Sequence, residues 1–174
     1  MLTTSDNTAS LWLQSLAGTG TRINELLQLQ GLEHTRVNSR TPGREEYRSM
    51  YGWGQTTPRE MATLMEKIYK GEVISKKAGE KMIRLLGRNY YDEQAISQIP
   101  PYIFVASKNG AVNASRSETL LVMAPHGPYI FSVITKDQAD QSWSATNEGW
   151  KLIKQVSELL WNHFEPSSDW KPAQ

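Results

Sequence analysis

The sequence contains no cysteine. Disulfides, thiolate catalysis and cysteine-ligated metals are thereby excluded. Histidine is nearly as scarce: His34, His126 and His163 are the only three, far apart, which argues against a histidine metal site. No sign of charge dominates, since 19 basic residues face 18 acidic ones. A dedicated nucleic-acid binder carries a basic stripe, so no nucleic-acid partner is expected. No apolar run approaches the roughly 18 residues of a membrane-spanning helix. Met1-Leu2-Thr3-Thr4 lacks the basic n-region of a signal peptide. Repeats and low-complexity tracts are missing too. What is present is a chain of 174 residues, 39% of them apolar, enough for a real core in one domain or a large part of one. Neither metal nor cofactor is expected.

Helical periodicity and punctuation divide residues 1–99. Thr8 to Leu16 reads as a helix ended by Gly18-Thr19-Gly20, and Thr21 caps a second that Gly31 stops. Residues 32–57 have no clean period and form a long Ω-like loop with aromatic Tyr47, Tyr51 and Trp53, a kind of loop that is usually functional. Thr57-Pro58-Arg59-Glu60 carries an N-cap, a first-turn proline and a capping-box glutamate, so a third helix follows until Gly71. Ser75 opens a fourth, closed by Gly87. Pro100-Pro101 then separates a strand half. Strands are expected at Tyr102 to Ser107, Thr119 to Ala124 and Tyr129 to Thr135, the last two joined by His126-Gly127-Pro128. A terminal helix starts at Asn147 or Glu148, and residues 165–174 read as a frayed tail. The class is α+β, with helices packed on an antiparallel sheet.

Two short elements carry chemistry: Ser5-Asp6-Asn7 before a helix, and Lys108-Asn109-Gly110 at a strand end, 103 positions later. Each alone is weak, since Ser, Asp and Asn are all good helix caps. Together they match two of the three motifs, S-D-N and K-T-G, shared by class A β-lactamases and penicillin-binding proteins. The sequence resembles that family over nearly its whole length. Gln55 to Ala62 resembles the helix start after the family's Ω-loop, and the Lys70-Gly71-Glu72 bend and the strand–strand–helix end also fit. The resemblance implies a β-lactamase/transpeptidase-like fold. It also implies a proton relay at Ser5, a substrate-amide contact at Asn7, positive charge from Lys108 and a carboxylate contact at Asn109. Gly110 would allow close approach of the strand edge, and Ala111 would lend an oxyanion-hole N–H. Arg116 sits one residue off the place of a carboxylate-binding arginine and reads either as that residue or as surface charge.

The sequence also departs from the family. The S-x-x-K segment with the nucleophilic serine lies well upstream of S-D-N in the family, whereas four residues precede Ser5. Ser168-Asp169-Trp170-Lys171 matches the pattern formally, but in a polar, proline-flanked tail. The chain is therefore expected to be the C-terminal portion of a larger enzyme, with an incomplete sheet of about three strands plus the terminal helix. Its open strand edge at 129–135 invites self-association or pairing with an N-terminal piece. Thr41 falls where the family keeps its deacylating glutamate, and threonine cannot act as that base. Glu45 either substitutes or is a solvated charge. Asn109 replaces the usual Thr or Ser.

The parent protein is thus expected to be a periplasmic or secreted serine hydrolase acting on β-lactams or D-alanyl cell-wall peptides through a slowly hydrolysed acyl-enzyme. The rival reading is a non-catalytic relic that binds peptidoglycan or a protein partner.

Overall fold

A computed structural model describes residues 1–172; the last two residues of the expected tail lie outside the described residues. Helix α1 (Asn7–Leu16) is capped by Asp6, whose carboxylate accepts the Ala9 N–H. Helix α2 (Thr19–Leu29) begins two residues before Thr21, because Gly18 takes a left-handed conformation and starts the turn there. The stretch 32–57 is less irregular than its sequence suggests. It holds strand β1 (Arg36–Val37), the short helix α3 (Glu45–Tyr51) and strand β2 (Gly54–Gln55), with β1 and β2 paired antiparallel.

Helix α4 (Pro58–Lys70) starts as expected, with the Glu60 N–H donating to the Thr57 hydroxyl at 3.2 Å. The capping box is only half formed. The buried Glu60 carboxylate accepts instead from the His34 N–H at 2.9 Å and the Thr35 hydroxyl at 2.5 Å, pinning the long loop to the helix. Burial pushes the Glu60 pKa up, but these bonds outweigh it and the net direction is down. Helix α5 (Lys76–Leu86) is capped by Ser75, and a 3₁₀ turn covers Ile96–Gln98.

Strands β3 (Val105–Val112), β4 (Ser115–Ala124) and β5 (Gly127–Ile134) form an antiparallel sheet in the order β3-β4-β5. Each differs from its sequence assignment. Residues 102–104 are not strand, because Pro100 to Ile103 closes a turn. Lys108, Asn109 and Gly110 sit inside β3 rather than at its end, opposite Thr119, Glu118 and Ser117. Pairing with β4, not apolar alternation, makes them strand. Among the described residues, the outer edges of β3 and β5 have no partner.

Alternation sends side chains to two cores. Leu120 and Val122 pack with Phe131, Ile153 and Trp161 under helix α6 (Glu148–Phe164). Ala106 and Leu121 pack with Met65 and Leu86 of α4 and α5. Each fully buried aliphatic side chain contributes about 1.5–3 kcal/mol. The segment after α6 is not frayed at its start: Glu165 is buried and accepts from the His126 N–H at 2.9 Å, with the His126 Nδ1 at 2.7 Å.

Helices α4 and α5 touch where Gly79 faces the Ile68 carbonyl. A Cβ on Gly79 would lie 2.4 Å from that oxygen. Gly79→Ala therefore forces the helices apart and lowers stability by about 1–3 kcal/mol. Urea unfolding reads this as a lower midpoint, and an unchanged midpoint would mean that the helices part freely.

Candidate active site

The S-D-N triplet divides its work. Asp6 alone caps α1, and Asn7 is the first helical residue, exposed on the cleft side. Ser5 is left half-buried in a left-handed conformation with φ 52°, its N–H donating to the Met1 carbonyl at 2.9 Å. Such a backbone is strained for a residue other than glycine and must be held by its surroundings.

Across 103 residues, the Lys108 ammonium donates to the Ser5 hydroxyl. It also donates to the Asn109 carbonyl, and at 3.3 Å to the Asn109 side-chain oxygen. Burial pushes the Lys108 pKa down, while the Glu118 carboxyl opposes the shift from the far face of the sheet. A lysine beside a serine hydroxyl in a half-dry site can stabilise developing oxygen charge and assist proton transfer.

Ser5, Asn7, Lys108, Asn109, Gly110 and Ala111 line one open cleft of about 1080 Å³. The far wall comes from residues 89–94, together with Trp143 and Trp150. Sequence reasoning missed that wall. The Tyr90-Tyr91 pair after the Gly87 helix stop, and a tryptophan in the polar loop before α6, were the signals available. The cleft joins the N-terminal segment to β3: the Tyr90 N–H donates to the Thr3 carbonyl at 2.9 Å, and the Tyr91 hydroxyl to the Thr4 carbonyl at 3.4 Å.

Arg116, Glu45, Thr41, Ser168 and Lys171, all named from sequence, lie outside the cleft lining. Arg116 has 0% of its surface exposed, so it is neither surface charge nor part of the cleft lining. Its guanidinium donates to the Val112, Ser115 and Ser142 carbonyls and stacks on Trp143, 4.8 Å from the ring centre. Glu45 is exposed at the start of α3, away from the cleft, and accepts only the Gly43 N–H at 3.3 Å. Thr41 is buried, its hydroxyl donating to the Ser39 carbonyl at 3.0 Å. That hydroxyl lies 1.8 Å from where a Cβ on Gly20 would stand, so the loop docks on α2 through a glycine. Ser168 and Lys171 occupy irregular chain after α6 with no helix to align them. No group of metal-ligating side chains occurs among the described residues, and no helix among them is long and apolar enough to cross a membrane.

Behind β3, Glu118 is fully buried and burial pushes its pKa up, against the opposing bonds from Ser107 and the Ala95 N–H. A raised carboxyl pKa favours the native state at low pH. Its contribution is fully present below the ordinary value of 4.5 and is lost as pH rises through the native pKa. Glu118→Gln should remove that decline. Urea midpoints from pH 4 to 8 test it, and parallel curves for the two proteins would refute it.

The model of the β-lactamase enzyme family matches residues 1–164. Among solved structures, the chain is similar to PBP-A, at 26% identity and a TM-score of 0.77 over 93% of this chain and 57% of that one. It is equally similar to a PBP-A mutant in acyl-enzyme complex with penicillin G (26%, TM-score 0.77, 93% and 58%). The chromosome-encoded β-lactamase of Vibrio parahaemolyticus shares the fold at 23% identity and a TM-score of 0.77, over 94% of this chain and 62% of that one. No curated protein matches the chain. The chain thus spans about three-fifths of the length of these structures. With nearly every residue matched, it belongs to the β-lactamase enzyme family.

Proposed function

We propose that the protein takes part in acyl transfer from β-lactams or D-alanyl cell-wall peptides, with Ser5 and Lys108 as its proton-relay pair. The observation that carries this is the bond from the Lys108 ammonium to the Ser5 hydroxyl inside the cleft. The nucleophile is a serine on an S-x-x-K helix supplied from outside these 174 residues. It adds to the substrate carbonyl as the lysine of that segment takes its proton; the C–N bond breaks, the leaving nitrogen takes a proton from the Ser5 hydroxyl, and the proton held on that lysine returns Ser5 to its neutral form. Lys108 steadies the charge left on that oxygen and faces the substrate carboxylate. Asn7 contacts the substrate amide, Asn109 its carboxylate, and Ala111 lends an N–H to the oxyanion.

Deacylation is slow. Thr41 is buried with its hydroxyl turned to backbone, and Glu45 stands outside the cleft, so neither activates a water there. A penicillin-binding, peptidase-like role follows more readily than an efficient β-lactamase. The acyl-enzyme of the PBP-A mutant with penicillin G supports the substrate class. The site of action is the periplasm or the exterior, where that substrate occurs. The alternative, a non-catalytic module binding peptidoglycan or a protein, draws on Asn109 in place of a hydroxyl residue.

Chemical-shift mapping with benzylpenicillin on the isotopically labelled chain tests the cleft assignment. Amide shifts centred on Ser5 and residues 108–111 are expected. Shifts confined to other surfaces, or none at millimolar ligand, would remove it.

A further inference from the structure

On the face of β3 away from Lys108 lies a carboxyl group that the proposed chemistry does not use. Glu118 is 1% exposed. It accepts from the Ser107 hydroxyl at 2.6 Å and from the Ala95 N–H at 3.0 Å. Ser107 in turn accepts from the Asn89 side-chain amide at 3.2 Å. Asn89 holds Tyr91 by a local turn: its side-chain oxygen accepts the Tyr91 N–H, and its amide donates to the Tyr91 carbonyl, both at 3.3 Å. From the Asn89 amide through the Ser107 hydroxyl the donors point towards Glu118, which ends that run as acceptor. Burying a carboxyl beside Leu120 costs desolvation that an apolar side chain of the same size would not incur. Packing therefore does not account for it.

Both arms of the network lead to Ser5. One passes from Ser107 to its neighbour Lys108, whose ammonium donates to the Ser5 hydroxyl. The other passes through Asn89 to Tyr90 and Tyr91, which hold the Thr3 and Thr4 carbonyls. Ser5 comes next, in the left-handed backbone that needs holding. We infer that Glu118 is a positioning residue for the Ser5–Lys108 pair, acting through Ser107 and Asn89 to dock residues 3–5 against β3. The inference rests on the reading of Ser5 and Lys108 as the reacting pair, but its test involves no penicillin, so either can fail alone.

The test uses the labelled chain and two reporters. Hydrogen exchange at the Tyr90 N–H reads the docking of residues 3–5, with the Leu121 N–H in the middle strand as the measure of global opening. The Lys108 side-chain nitrogen resonance reads its contact with Ser5, calibrated by Ser5→Ala. Glu118→Gln keeps the shape but turns one acceptor into a donor. Asn89→Asp keeps the acceptor for Tyr91 and removes the donor to Ser107. Each variant should speed Tyr90 exchange about tenfold, the effect of losing roughly one buried hydrogen bond, without speeding Leu121. Each should also move the Lys108 resonance towards its Ser5→Ala position. Tyr90 exchange that stays at the wild-type rate or rises only in step with Leu121, or a Lys108 resonance that does not move, would overturn the inference.

Discussion

Lys108→Ala should slow acylation by penicillin about 10²- to 10⁴-fold in protein that also carries an S-x-x-K segment, the range for losing a positioned proton-transfer partner. The side chain is half-buried, touches the Ser5 hydroxyl and has its pKa pushed down by burial. Removing it leaves Ser5 without the charge that steadies its oxygen as the proton departs. Lys108→Arg should recover part of the rate, since it restores charge with a different reach and fork geometry. Ser5→Ala should fall in the same range, and the double variant should be little worse than either single one, because the two act as a unit. Stopped-flow acylation kinetics measure this. Full additivity, or a Lys108→Ala rate within a few-fold of wild type, would separate the two residues functionally.

Arg116→Met should cost about 3 kcal/mol or more of stability, the largest effect expected of any single side chain here. The guanidinium is fully buried and holds the Val112, Ser115 and Ser142 carbonyls, tying the β3–β4 turn to the loop before α6. Methionine fills the space but leaves those carbonyls without donors. The two tryptophans on which the guanidinium stacks, 143 and 150, also line the cleft, so their near-UV signature should change as well. Thermal unfolding with near-UV circular dichroism tests this. A stable Arg116→Met protein with weakened penicillin binding would instead return Arg116 to the substrate.

Local signals in the sequence proved reliable where the physics is local. The caps Thr57 and Ser75 and the stops Gly71 and Gly87 all stand at helix ends. The resemblance to the family singled out Ser5 and Lys108, two side chains that lie 103 residues apart and that the fold brings into contact. What escaped was set by distant partners. Glu60 is drawn from its own cap to His34 and Thr35. Lys108 to Gly110 become mid-strand only because β4 lies opposite. Arg116 looks like surface charge until carbonyls from the end of β3, the start of β4 and the loop before α6 surround it. Glu118 falls just outside the strand expected from Thr119 onward, yet β4 begins at Ser115 and buries it with the Ser107 hydroxyl and the Ala95 N–H as its partners.

Intact-mass spectrometry over time with benzylpenicillin tests the central claim most directly, on the chain alone and on protein that includes the S-x-x-K segment. The chain alone should stay near 19.7 kDa. With the segment present, one penicilloyl adduct forms and persists long after free drug is removed. An adduct that vanishes within one mixing time, or none with the segment in place, would contradict that claim.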